Sequence, residues 1–460
     1  MNTPLYDSLT NIIKENTLRM HMPGHKGKPV FYPFDDIFPY DFTETDQTGN
    51  LYEEEGAIRE AEILSAKYYG SDDCHFLTGG STQGIHAMLG AICGDGGEVL
   101  LDRSCHKSVA SACALFDLKP YFVYPETIEP YGFGGNLSLQ QIEKQLKAHE
   151  NIKAMLVVSP NYYGVIQDIK GLSELCGKYN VKLLVDSAHG AHFPAVNVKS
   201  PVQMGADIAV LSGHKTLPVM GQGAYLIMNK TIDAKELRRF ESMVCTSSPS
   251  YPIMLSLDLA RNWLENTDLY LEVAKQTANI REFINEKTAF TALTESEDLL
   301  LDPCRLTVCT AKTGISGHQI HERLQKEFNI VCEMADDRNI VLILTGMDTE
   351  NDFENIKNAL LACSNGLFGD KTPDKLSIPT EIIRRISVRK AWFCKYKTIN
   401  IKDAVGKICA RPITPYPPGI PIVFSGEEIT AKHVEFLTKR CYNTVSEVLI
   451  CAENEENLYE

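Results

Sequence analysis

The stretch VKLLVDSAHGAHFPAVNVKSPVQMGADIAVLSGHK fills residues 181–215, and its reading decides the fold. It holds two short apolar runs, VKLLV and ADIAVL. Each is closed by a polar cluster: Asp186-Ser187-Ala188-His189 after the first, Ser212-Gly213-His214-Lys215 after the second. Continuous apolar runs of this length read as strands buried on both faces. Working outward, similar runs stand at 97–102, 119–125, 153–160 and 223–229, among helical patterns at 57–70, 82–93, 106–116, 138–148 and 170–179. Strands alternating with helices predict an α/β major domain with a mostly parallel sheet. It is placed at 51–295, after an N-terminal segment at 1–50.

Past residue 300 the texture changes. Strand-like runs at 304–311, 329–334 and 339–346, with helices near 316–327 and 351–363, predict a smaller C-terminal α+β domain within 296–460. A charged, proline-containing linker occupies 365–385, and a helical pattern runs near 401–407. The stretch ARPITPYPPGIPIVFSGEEIT (410–430) sets prolines beside apolar residues and reads as packed. MPGHKG (22–27) has two chain breakers around a basic pair, which suits an ordered loop or a plain turn.

A chain of 460 residues is long enough for two or three domains. Its net charge of -15 argues against general nucleic-acid binding, which needs a basic face. The 14 cysteines form no CxxC pair, so zinc-knuckle and thioredoxin-like chemistry are unsupported. Scattered thiols and a polar N-terminus unlike a leader read as cytoplasmic, and no apolar run approaches the length of a membrane span.

In open α/β sheets, ligands bind beyond the carboxyl ends of the strands. Three features fall there. Thr78-Gly79-Gly80-Ser81-Thr82-Gln83-Gly84 precedes a helix; the glycines admit a close approach, and the helix start offers N–H groups to a phosphate. A helix cap without ligand is the plainer alternative. Asp186 ends its strand, where a carboxylate can hold a charged ring nitrogen. A helix cap competes with that reading, as does a metal site of Asp186, His189 and His192, but the lysine motif on the next strand speaks against a metal. Lys215, with Ser212 and His214 just upstream, suits a Schiff base beside a phosphate, since a partly desolvated lysine near other cations becomes a nucleophile. Phosphate loop, aspartate and, about thirty residues later, lysine form the layout of fold-type I pyridoxal-phosphate (PLP) enzymes.

The chain resembles the Orn/Lys/Arg decarboxylase family. The resemblance runs through MPGHKG (22–27), DFTETD (41–46), EGAIREAEILSAKYYGSDDCHFLTGGST (55–82), CHKS (105–108), VDSAHGAH (185–192), SGHKTLP (212–218), PYPPGIP (415–421) and GEEIT (426–430). SGHKTLP with PYPPGIP is specific, because aminotransferases of the same fold lack the second motif. The resemblance implies that Lys215 carries PLP, Asp186 pairs with its ring nitrogen and His106 stacks on the ring; a helix-start residue is the plainer alternative for His106. It implies that Ser81, Thr82, Ser212 and His214 hold the phosphate, with Gly80 also in the cofactor-binding set, and that His189 lines the pocket. Glu427 lies in the last motif, but Ser425 stands where the family commonly has proline, so a surface acid is an equal reading. The motifs begin within thirty residues of the start, which implies the short form without the N-terminal wing domain. A homodimer with a shared active site is implied, as is a small basic amino acid (arginine, lysine or ornithine) as substrate, in polyamine synthesis. An aminotransferase or another lyase is the alternative, with Arg305, Arg384, Arg385, Arg389 and Arg411 available to clamp a carboxylate. A catalytically silent PLP-binding regulator is a third reading. No metal, nucleic acid or membrane partner is expected.

Overall fold

Seven strands of four to seven residues run through the first half of the chain: β1 (Asp73–Leu77), β2 (Glu98–Asp102), β3 (Lys119–Val123), β4 (Ile152–Val158), β5 (Lys182–Asp186), β6 (Ile208–Leu211) and β7 (Ala224–Met228). Apart from the first, they are the apolar runs read in the sequence. The structure is a computed structural model and describes residues 2–53, 55–369, 379–415, 419–439 and 445–452. It divides into two compact units, Met1–Ala91 with Leu183–Glu272, and Ile92–Lys182 with Val273–Glu460.

In the first unit the strands lie in the order β1-β7-β6-β5. β5 and β6 are parallel, with Asp186 opposite Val210. β7 runs antiparallel to β6 and to β1, with Leu77 opposite Ala224. Two reversals restore direction, so β1, β5 and β6 all end at one edge. That edge receives Thr78–Ser81, Asp186–His189 and Ser212–Lys215. Helix α1 (Pro4–Lys14), unread in the sequence, docks through its own start: Asp258 accepts from the Leu5 and Tyr6 N–H groups at 3.1 and 3.4 Å. Anions at a helix start are stabilising.

β1 escaped the sequence reading because its apolar pattern is broken by Asp73 and His75. Both belong to an ion network that also includes Arg59 and Glu62 on α2 (Ala57–Tyr69) and Arg238 and Glu241 on the helix Ala234–Met243. Arg238 reaches Glu62 and Glu241 at 2.5 and 3.1 Å, and His75 Nδ1 lies 2.8 Å from Glu241. Arg59 meets Asp73 at 2.7 Å. Three acids face three bases only when His75 is protonated. Burial pulls the His75 pKa down, but Glu241 and Asp73 outweigh it and the net value is raised above 6.5. Burial pushes Glu241 up, but His75 and Arg238 outweigh it and hold it below 4.5. The raised His75 stabilises fully below 6.5, and this is lost as pH rises through its folded pKa; the depressed Glu241 stabilises above 4.5, and this is lost in acid. His75→Gln should therefore cost about 3 kcal/mol near pH 6 and less in alkali, read as the wild-type-minus-variant difference in denaturant unfolding. A pH-independent difference would contradict the protonated His75.

In the second unit β2 pairs in parallel with β3 and with β4, Asp102 standing opposite Val123. A separate antiparallel sheet of Thr291–Ala292, Arg305–Cys309, Asn339–Ile343 and Met334–Ala335 follows the expected α+β pattern. Within the expected strand 329–334 only its last residue pairs. The helical pattern at 401–407 is a single 3-10 turn, Ile401–Asp403, because Gly406 takes a φ of +77° and the chain turns away. The strand Tyr396–Asn400 pairs with Glu447–Cys451, which the sequence did not announce. Ile401, Cys409, Val423, Ile429, Phe436 and Ile450 form a local core, so the described part of the proline-dense stretch is packed as expected; residues 416–418 lie outside the described residues. Among the described residues, no helix is long and apolar enough to cross a membrane.

Candidate active site

At the carboxyl edge of the first unit, β1 leads through Thr78 and Gly79 into α3 (Gly80–Cys93). Gly80 takes a φ of +73°, a backbone that side-chain-bearing residues rarely adopt, and its N–H donates to Gln222 O at 2.8 Å. The helix begins two residues before the expected 82, so Ser81 and Thr82 form its first turn. Gln83, quoted in the motif but given no role, is buried; its Oε1 accepts from Gly79 N–H at 2.9 Å and so fixes the loop. Gln222, at φ +77°, is the other missed residue. The flanking glycines of MGQGA were its only sequence signal.

Asp186 is 4% exposed, and its Oδ1 accepts from Ala188 N–H at 3.1 Å. Burial pushes its carboxyl pKa up; Lys215 and the Ala188 N–H oppose this without cancelling it. The carboxylate is therefore short of positive charge, which a protonated ring nitrogen would supply. Lys215 sits in the one-turn helix Gly213–Thr216 after β6, and its Nζ lies 3.1 Å from His189 Nε2. The structure thus brings His189 and Lys215 into contact, with Asp186 close enough to feel the Lys215 charge. His214 turns its Nδ1–H to Gly223 O at 3.1 Å. Burial, with Lys215 beside it, lowers its pKa, so it can donate to an anion through Nε2 only in the charged form that the anion itself would favour.

The buried hydroxyl oxygens of Ser187, Ser212 and Thr216 have no hydrogen-bond partner among the described residues. Buried polar atoms are rarely left so. The Ser212 and Thr216 hydroxyls in the Lys215 turn, Ser187 next to an under-compensated Asp186, and the start of α3 fit the phosphate, ring nitrogen and aldehyde ends of PLP.

His106 belongs to the second unit. It caps α4 (Lys107–Leu115): its Nδ1 accepts from Ser108 N–H at 3.3 Å and lies 2.9 Å from Ser108 Oγ, with the ring half-buried. The helix-start reading of this residue is thus realised. Glu427 is 1% exposed and meets Arg103 at 3.3 Å. The surface-acid reading is therefore wrong: the turn at Gly426, φ +85°, aims the carboxylate inward.

Comparison with known proteins shows the family. The model for the Orn/Lys/Arg decarboxylase major domain matches residues 3–298, and that for the C-terminal domain of the same family matches 384–442. The chain is 32% identical over 457 residues to the arginine decarboxylase of Bacillus anthracis, covering 95% of this chain and 92% of that protein. It is 21% identical to the constitutive lysine decarboxylase of Escherichia coli (strain K12), covering 95% of this chain and 77% of that one. The lysine decarboxylase LdcF of Francisella novicida shares the fold with a TM-score of 0.82 at 19% identity, over 98% of this chain and 81% of that one. The fold is that of fold-type I PLP enzymes. The chain belongs to the Orn/Lys/Arg decarboxylase family, and it is a PLP-dependent carboxy-lyase of amino acids.

Proposed function

We propose that this protein decarboxylates arginine, with PLP carried on Lys215. The observation that carries the cofactor assignment is the meeting of Lys215 with His189 at 3.1 Å in the unit that also buries Asp186. Arginine is favoured over lysine because the arginine decarboxylase relative is 32% identical and the lysine decarboxylase relative 21%. The product amine would feed polyamine synthesis. Buried free thiols such as Cys74, Cys113 and Cys409 suit a reducing, cytoplasmic setting.

PLP, when bound, supplies an electron sink for the bonding pair that the departing carboxylate leaves behind. Asp186 holds the proton on the ring nitrogen. Lys215 Nζ would carry the cofactor, and as an amine it could move a proton, with His189 Nε2 as its neighbour. The Ser81, Thr82 and Ser212 hydroxyls and the first N–H groups of α3 hold the phosphate, with Gly80 giving the backbone its approach and His214 lending Nε2. By the family resemblance, His106 would stack on the ring.

A distal guanidinium is costly to desolvate, so the substrate pocket must offer it a carboxylate. Norleucine, of similar length but neutral, should then react about 10³-fold more slowly than arginine. Amine-product analysis over arginine, lysine, ornithine and norleucine tests this. Equal rates for norleucine and the best basic substrate would sink the charge-recognition argument. A fast reaction with lysine or ornithine and none with arginine would move the substrate assignment.

A homodimer with a shared active site is part of the same reading. Leu18, Met20, Met22, Val30, Phe31 and Tyr32 are each more than half exposed, an apolar stretch that suits an interface. Light scattering should give a dimer; full activity in a monomer would contradict a shared site.

A further inference from the structure

Glu427 and Arg103 belong to the second unit, and neither enters the chemistry above. Arg103 follows β2 directly and is 6% exposed. Its Nη1 donates to Pro421 O at 2.7 Å, and its Nη2 donates to Ile422 O at 2.9 Å and to Glu427 Oε2 at 3.3 Å. The guanidinium also faces the Phe122 and Phe424 rings at 4.9 and 5.2 Å. Glu427 Oε2 accepts a second bond, from Phe424 N–H at 2.7 Å, which closes the turn 424–427. Four residues beyond Arg103, Lys107 N–H donates to Gly419 O at 3.1 Å. The segment 419–427 is thus tied to residues 103 and 107, on either side of His106. Arg103 and Ile422 also help to line a cavity of about 180 Å³.

Burying a guanidinium and a carboxylate together is weak evidence for stability, because well-packed apolar side chains of the same volume often serve as well. What apolar side chains cannot do is hold two carbonyls and a carboxylate in one planar fork. The pair therefore supplies orientation. We infer that Arg103 and Glu427 are positioning residues, a buried clamp by which the C-terminal motif sets the turn that presents His106. This rests on the reading of His106 as the residue that stacks on the cofactor.

The test compares Arg103→Met/Glu427→Leu with His106→Ala, each loaded with PLP. The readouts are the PLP dissociation constant, the visible circular dichroism of the bound cofactor, and thermal melting. The double variant should melt within about 5 °C of wild type. It should nevertheless bind PLP about tenfold more weakly and lose most of the dichroic band, as His106→Ala does. Wild-type affinity and dichroism in the double variant, with both altered in His106→Ala, would overturn the clamp alone. Wild-type values in both would overturn the stacking reading, and the clamp's role with it. Should the double variant not fold, Glu427→Gln carries the same comparison. It is isosteric and still accepts from Phe424 N–H, so a PLP affinity lowered about threefold is expected, and an unchanged one overturns the clamp.

Discussion

Lys215→Ala should lower decarboxylation by at least about 10⁴-fold while the protein stays folded. The side chain sits at the end of β6 with His189 Nε2 3.1 Å away, and its removal takes away the amine that carries the cofactor. The groups proposed to hold the phosphate, the Ser81, Thr82 and Ser212 hydroxyls and the start of α3, remain in the variant. Some PLP should therefore still bind through its phosphate, without a covalent link. Borohydride reduction of the wild-type holoenzyme followed by peptide mapping should place the pyridoxyl group on Lys215. Label on any other lysine would remove this residue from the role.

Asp186→Asn should cost about 10²–10³-fold in turnover with little change in melting. An amide is nearly isosteric and can still accept from Ala188 N–H, so the 3.1 Å bond survives. The negative charge does not. Burial already raises the carboxyl pKa, so its ionised form is maintained by the positive groups it faces, and the ring-nitrogen proton is the one it would hold. Steady-state kinetics at saturating PLP separate this from weak cofactor binding. Near-normal turnover would take Asp186 out of the mechanism.

The parts of this molecule that were legible in the sequence are those where one physical rule acts alone. β6 and the Leu183–Val185 centre of β5 are apolar because both faces are covered, and the polar clusters that follow stand where ligands bind in open α/β sheets. Asp186, His189 and Lys215 could be placed together from that rule before any contact was seen. β1 was missed because His75 and Asp73 interrupt it, and their acceptability depends on Arg59, Glu62, Arg238 and Glu241, brought from distant helices. The helix Tyr251–Leu264 was missed for a related reason: it is buried around most of its circumference, with Asp258 and Arg261 paired inside at 2.7 Å, so it shows no clean amphipathic stripe. Glu427 illustrates the same limit at the site. A carboxylate in a glycine-led turn looks like surface until Arg103, 324 residues earlier, is seen to reach it. Gln83 was in plain view but unassigned, since only the fold shows its Oε1 turning back on Gly79 N–H.

The fate of the substrate carboxylate decides the reaction most directly. Arginine labelled in that carboxylate, given to the PLP-loaded protein, should release its label as carbon dioxide with one equivalent of agmatine formed. Keto-acid formation with the label retained would contradict the decarboxylase and make the protein an aminotransferase on the same fold.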